Sequence, residues 1–216
     1  MQVQGCIGPA EVIRILLVDD YPALRIGLST LLDAEADMEV VAQTGRCEEV
    51  VEVYCKYAPD VTLVRSSVRA EDGRDAAAMI RAAHPSARII VLANDDREEH
   101  VYRSFRAGAM SYLLLDTSTD EILAAVRAVR CGEKHISNRV AQKLADRLLL
   151  PDISERETEV LRLVAKGMSN KEIAWVESHA VGTIKYHVNS ILFKLGVADR
   201  TQAVLAALRI GLVDLD

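Results

Sequence analysis

A chain of 216 residues, half of them apolar, can bury one or two cores, and its length favours two domains. Its formal charge of -6 excludes a uniformly basic nucleic-acid coat, and no apolar run approaches the roughly 18 residues of a membrane span. Four cysteines at 6, 47, 55 and 131 show neither metal-ligand spacing nor a disulfide framework, so reduced thiols in the cytoplasm are the expectation, against a redox role for Cys6 or Cys131.

Residues 1–11 form a leader containing Gly and Pro. The run 12–18 is apolar and of strand length; it ends on Asp19-Asp20. A helix entered through Pro22 follows, with Leu24, Leu28, Leu31 and Leu32 on one face. The alternation then repeats as strand 38–42 and helix 47–57, strand 61–64 and helix 74–83, strand 89–92 and helix 98–107, strand 110–114 and helix 120–130. Five strand-helix units in succession predict an α/β doubly wound five-stranded parallel sheet across 12–131. Cys47 and Cys55 fall on one predicted helix, about 12 Å apart by helical rise, too far for a disulfide. Residues 132–153 read as a helical linker, whose helix 140–150 is closed by Pro151.

The remainder, 154–216, predicts an all-α domain of four short helices. Ser154-Glu155-Arg156-Glu157 and Ser169-Asn170-Lys171-Glu172 are both capping boxes, and Gly167 between them ends the first helix. The two helices must therefore turn sharply, as in a helix-turn-helix. The third helix spans 181–195, where Ile184, Val188, Ile191, Leu192 and Leu195 recur at helical spacing and Gly196 is the stop. Its other face carries Thr183, Lys185, Tyr186, His187, Asn189, Ser190 and Lys194, donors with no carboxylate among them, which suits a phosphate-flanked major groove. Asp199 with Gln202 opens the fourth helix.

In order, Ser154-x-Arg156-Glu157, Gly167-x-Ser169-Asn170-Lys171-Glu172-Ile173-Ala174, Gly182-Thr183-Ile184-Lys185-x-His187-Val188 and Lys194-Leu195-Gly196-Val197-x-Asp199-Arg200-Thr201-Gln202-Ala203 resemble the DNA-binding domain of NarL/FixJ/LuxR-type transcription factors. The resemblance implies double-stranded DNA as partner. It places Lys171, Thr183, Lys185, Tyr186, His187, Asn189 and Lys194 at the DNA. It also implies a homodimer joined through Thr201, Val204, Leu205 and Leu208, and a contact with RNA polymerase. Residues 151–216 hold 8 Lys and Arg against 9 Asp and Glu, so DNA affinity has to come from the local field of the third helix and from dimerisation. The turn departs from the family: Glu177 and His179 stand where apolar packing is usual, and Ala180 replaces a capping Ser. Ser178 or Thr183 is expected to take over the cap, and Trp175 to compensate the packing.

Upstream, Val18-Asp19-Asp20, Pro59-Asp60-Val61, Arg106-Ala107-Gly108-Ala109 and Tyr112-Leu113-Leu114-x-Asp116 resemble the receiver domain of a response regulator, with its flavodoxin-like strand order. Such a domain implies a phosphoacceptor carboxylate after the third strand, Mg²⁺ on the acidic pair, a hydroxyl after the fourth strand and a lysine after the fifth. The corresponding positions here are Arg65, Ala93 and Leu115, while Asp19 and Asp20 remain. A guanidinium has no lone pair to accept a phosphoryl group. Arg65 is expected to face Asp19 and Asp20 as a partly exposed ion pair worth about 0 to 1 kcal/mol, leaving no cofactor and little or no Mg²⁺ binding.

Together these features lead to the expectation of a non-enzymatic, phosphorylation-independent transcription regulator, with a small molecule or protein as effector at the receiver-like domain. One alternative keeps two-component signalling through Asp60, Asp72 or Asp75; another is an interaction protein that titrates partners without binding DNA. No Gly-rich phosphate loop or nucleophile-base pair supports an enzyme.

Overall fold

The computed structural model describes residues 12–70 and 75–214. Contacts divide it into two compact units: residues to Asp96 with Arg103–Val140, and Arg97–Tyr102 with the chain from Ala141 onward.

The first unit is a five-stranded parallel sheet of β1 (Ile13–Val18), β2 (Met38–Thr44), β3 (Val61–Arg65), β4 (Ile89–Ala93) and β5 (Ser111–Leu114), in the order β2-β1-β3-β4-β5. β3, β4 and β5 are buried at every position, as strands covered on both faces must be. One face packs Ile15, Leu17, Leu63, Ile90, Leu92 and Leu113 against α1 (Pro22–Asp33) and α5 (Thr119–Arg130), which contribute Leu28, Leu32, Ile122, Val126 and Val129. The alternate strand positions, among them Leu16, Val64, Val91 and Tyr112, are equally buried. The remaining helices are α2 (Val50–Tyr57), which packs on β2, α3 (Ala76–Ala83), which packs on α2, and α4 (Glu98–Arg106), whose residues are divided between the two units. The order β2-β1-β3 reverses direction at β1, and the carboxyl ends of β1 and β3 therefore flank the crevice where such sheets bind ligands.

The expected helix 47–57 begins as a single 3₁₀ turn at Cys47–Glu49 before α2. The Thr44 hydroxyl accepts from Arg46 N at 3.1 Å and lies 3.2 Å from Glu49 Oε2, which tightens that entry. Cys47 is buried, its thiol 3.5 Å from the Met79 sulfur, while Cys55 and Cys131 are exposed.

The second unit holds most of α6 (Asn138–Leu149) with α7 (Glu155–Ala165), α8 (Asn170–Val176), α9 (Val181–Leu195) and α10 (Arg200–Ile210). Within it Arg147 Nε donates to Glu99 Oε2 at 2.6 Å, both side chains being nearly buried. The four helices from α7 on enclose Val160, Leu161, Val164, Ile173, Ile184, Ile191, Ala203 and Ala207. Among the described residues no helix is long and apolar enough to cross a membrane.

Candidate nucleic-acid interface and receiver-like pocket

β1 runs directly into Asp19 and Asp20, and β3, paired beside it, ends on Arg65. Arg65 is 6% exposed and Asp19 only 1%, so this pair is buried, not partly exposed as its sequence position suggested. The guanidinium stands 3.6 Å from Asp19 Oδ1 through Nη1 and 3.8 Å from Asp20 Oδ1 through Nε. It donates from Nη2 to Asn94 Oδ1 at 3.1 Å and lies over the Tyr21 ring, 4.1 Å from its centroid. Cation-π contact and one good hydrogen bond thus add to the two long ion pairs in holding it. Asn94 and Tyr21 carry no sequence signal for this role; only the fold brings them to Arg65.

Asp19 Oδ1 accepts from Tyr21 N at 2.7 Å, Arg25 donates to the Asp19 carbonyl, and among the described residues Asp19 Oδ2 finds no hydrogen-bond partner. Burial pushes the Asp19 carboxyl up from its ordinary value, against the lowering pull of the Tyr21 amide and Arg65. Asp20 is more open and accepts from Ser67 Oγ at 3.3 Å. Ala93 is buried at the end of β4, and Leu115 follows β5 partly exposed; neither brings a polar side chain to the pocket.

Mg²⁺ requires oxygen ligands around it at about 2.0–2.1 Å. Two carboxylates already facing a buried guanidinium do not fit that requirement. The other candidate acceptors stand elsewhere. Asp60, before β3, accepts from Arg14 N at 3.0 Å and pairs with Arg130 at 3.3 Å. Asp75 caps α3, accepting from Ala78 N at 2.6 Å, and Asp72 lies outside the described residues.

In the helical unit, Ser154 with Glu157 and Ser169 with Glu172 both form reciprocal capping boxes, opening α7 and α8. α9 starts at Ala180 with no side-chain cap, so neither Ser178 nor Thr183 substitutes for the missing hydroxyl, at a cost of about 1 kcal/mol. Gly196 ends α9 in the left-handed conformation that its lack of a Cβ permits. The turn before α9 is held by charge. Arg156 pairs with Glu177 at 2.5 Å and Glu159 at 2.7 Å, and its Nη2 lies 3.3 Å from His179 Nε2. Trp175 is 84% exposed, which overturns the expectation that it fills the turn.

Lys171 on α8 and Thr183, Lys185, Tyr186 and Asn189 on α9 are exposed. His187 is half-buried, its ring edge-on to Tyr186 at 5.7 Å. Lys194 has a different occupation from the one its sequence position suggested. Its Nζ donates to Glu157 Oε2 at 2.7 Å and to the Asp152 carbonyl at 2.9 Å, so its charge is neutralised within the fold. Ser190 donates to the other Glu157 oxygen at 2.7 Å. Burial disfavours the Glu157 carboxylate, but hydrogen bonds from Lys194, Ser190 and Ser154 prevail and hold it down at about 2. On α10, Thr201 and Leu205 are exposed, and together with Val204 and Val164 they border a hollow of about 250 Å³; Leu208 is half-buried.

Residues 15–127 match the family model of the response regulator receiver domain, and residues 151–207 match that of the bacterial regulatory proteins of the luxR family. The response regulator protein VraR of Staphylococcus aureus is 36% identical over 206 residues, 93% of this chain and 99% of VraR. The chain is a response regulator of the LuxR family.

This response regulator accordingly has a DNA-binding helix-turn-helix in α8 and α9, and it is a transcription regulator. Among solved structures it resembles ChrA, the response regulator of a heme-sensing two-component system, at 30% identity and TM-score 0.53, over 94% of this chain and 99% of ChrA. It shares its fold with RcsB of Salmonella enterica serovar Typhimurium bound to promoter P1flhDC, at 22% identity and TM-score 0.67, over 90% of this chain and 97% of RcsB.

Proposed function

We propose that this response regulator controls transcription without receiving a phosphoryl group, the buried Arg65 guanidinium serving as the fixed occupant of its receiver pocket. The observation that carries the reading is the end of β3. The side chain there is a cation with no nucleophilic lone pair, seated against Asp19, Asp20, Asn94 and Tyr21. Asp60 and Asp75, engaged with Arg130 and the α3 amide, lie outside that cluster and support no second acceptor.

The DNA contacts assigned to this protein are Lys171, Thr183, Lys185, Tyr186, His187 and Asn189. Because few cations are free on that surface, one protomer binds weakly, and a homodimer through Thr201, Val204, Leu205 and Leu208 supplies the remaining affinity. The RcsB dimers bound to DNA support the same arrangement here. A transcription regulator with this partner works in the cytoplasm, in contact with RNA polymerase. Its input is its abundance or an effector, small molecule or protein, at the receiver-like domain.

The test is a mobility-shift titration of the full chain on a duplex selected in vitro, with and without acetyl phosphate and Mg²⁺. The expected result is one affinity under both conditions; a tightening of about tenfold with the phosphodonor, the factor that 1.4 kcal/mol of coupling supplies, contradicts the proposal.

A further inference from the structure

The two most exposed aromatic side chains of α9 are Phe193 at 88% and Tyr186 at 70%. Seven residues apart, they lie two turns from each other along one stripe, with Gly182 and Asn189 within about 60° of the same line. The opposite face is the buried one, carrying Ile184 and Ile191. No Asp or Glu occurs from Ala180 through Ala198. Lys194 is neutralised by Glu157, so Lys185 is the cation this stripe has beside it. The outward surface of α9 is therefore aromatic, with Lys185 as its cation, where a DNA-reading helix would be expected to be strongly basic.

Charge arithmetic makes that composition informative. Each phosphate neutralised adds to affinity through counterion release, and a surface with Lys171 and Lys185 as its cations gains little from this source. Two rings left in water on the same surface gain most from apolar groups, and the major groove offers one kind, the C5 methyl of thymine. Asn189, between the rings, has the donor-acceptor pair that matches adenine N6 and N7. An A·T pair presents both the methyl and that adenine edge, which selects thymine over any other methylated pyrimidine.

Building on the DNA-binding role of α9, we propose that Tyr186 and Phe193 are specificity-determining residues whose rings pack on thymine methyl groups of the operator, flanking an adenine read by Asn189. Phe193 is the new member of the set: it has no hydrogen-bonding group and would go unnoticed in a search for polar contacts. Its exposure also makes it a clean site for substitution, because no part of the helical core depends on it.

The experiment uses the full-length protein and a duplex selected from a random pool, prepared once with thymine and once with deoxyuridine, which lacks only the methyl. Fluorescence anisotropy at one salt concentration gives both affinities. The native chain should bind the uracil duplex about fourfold more weakly for each methyl lost. Phe193→Ala should bind the thymine duplex about fourfold more weakly than the native chain and show a correspondingly smaller thymine-to-uracil ratio. Equal affinity of the native chain for both duplexes overturns the inference and leaves DNA binding standing, as does an undiminished ratio in Phe193→Ala. Absence of binding to the thymine duplex overturns the DNA-binding role and the inference with it. If Phe193→Ala instead alters sedimentation of the DNA-free protein, the ring belongs to contact between copies of this chain, and the inference fails.

Discussion

Arg65→Met is expected to destabilise the receiver-like unit by about 3 kcal/mol at neutral pH, because it strands a carboxylate without its cation in a site closed to water. Asp19 is 1% exposed, its Oδ2 already lacks a partner among the described residues, and Asp20 is too open to share the burden. The sign of the pH dependence follows from the raised Asp19 value. An acid whose folded-state value lies above its unfolded one binds more protons when folded, so stability rises as pH falls into that window. Removal of Arg65 raises Asp19 further, and the deficit of the variant should therefore shrink between neutral pH and about pH 4. Adding Asp19→Asn should recover most of the loss, since both charges then leave together. Hydrogen exchange of the β3 amides, followed at pH 7 and pH 5, checks all three expectations. A variant as protected as the native chain at pH 7 would show that the pair contributes nothing.

The second large effect belongs to Glu157, which closes the α7 capping box and also receives Ser190 and Lys194 of α9. Glu157→Ala should cost the helical unit about 3 kcal/mol by removing a cap and leaving the Lys194 ammonium unpaired. Because the carboxyl is held down at about 2, its contribution is fully present above the unfolded value near 4.5 and is lost as pH falls through 2. That interval is worth on the order of 3 kcal/mol, and Glu157→Gln should abolish the corresponding part of the acid sensitivity. Urea titration of the α7 and α9 amides by hydrogen exchange, at pH 6 and pH 3, is the measurement. An unaltered pH dependence in Glu157→Gln would assign the acid sensitivity to other carboxylates.

Glu157 also shows why the chain is legible in some places and opaque in others. Local rules act within a few residues, so the two capping boxes, the Gly196 stop and the 181–195 helix could be read directly, as could the succession of strands and helices that builds the sheet. Lys194, by contrast, looks like a DNA contact because its acidic neighbour is 37 residues upstream. Arg65 could be placed at the end of β3 by counting from Pro59, but its burial comes from Tyr21 and Asn94, which only the parallel register brings beside it. Trp175 stands where it could compensate the altered packing of the turn, yet Arg156 supplies the turn with ion pairs and the indole is left in water. Phe193 carries no donor or acceptor, and a ring on a polar face has no partner in sequence to give it meaning.

Arg65, a permanent side-chain cation at the end of β3, is proposed to stand where the receiver resemblance implies a phosphoacceptor. The most direct test is the intact mass of the full chain after incubation with acetyl phosphate and Mg²⁺. An unchanged mass is predicted; the gain of one phosphoryl group, lost again on treatment with hydroxylamine, would contradict it.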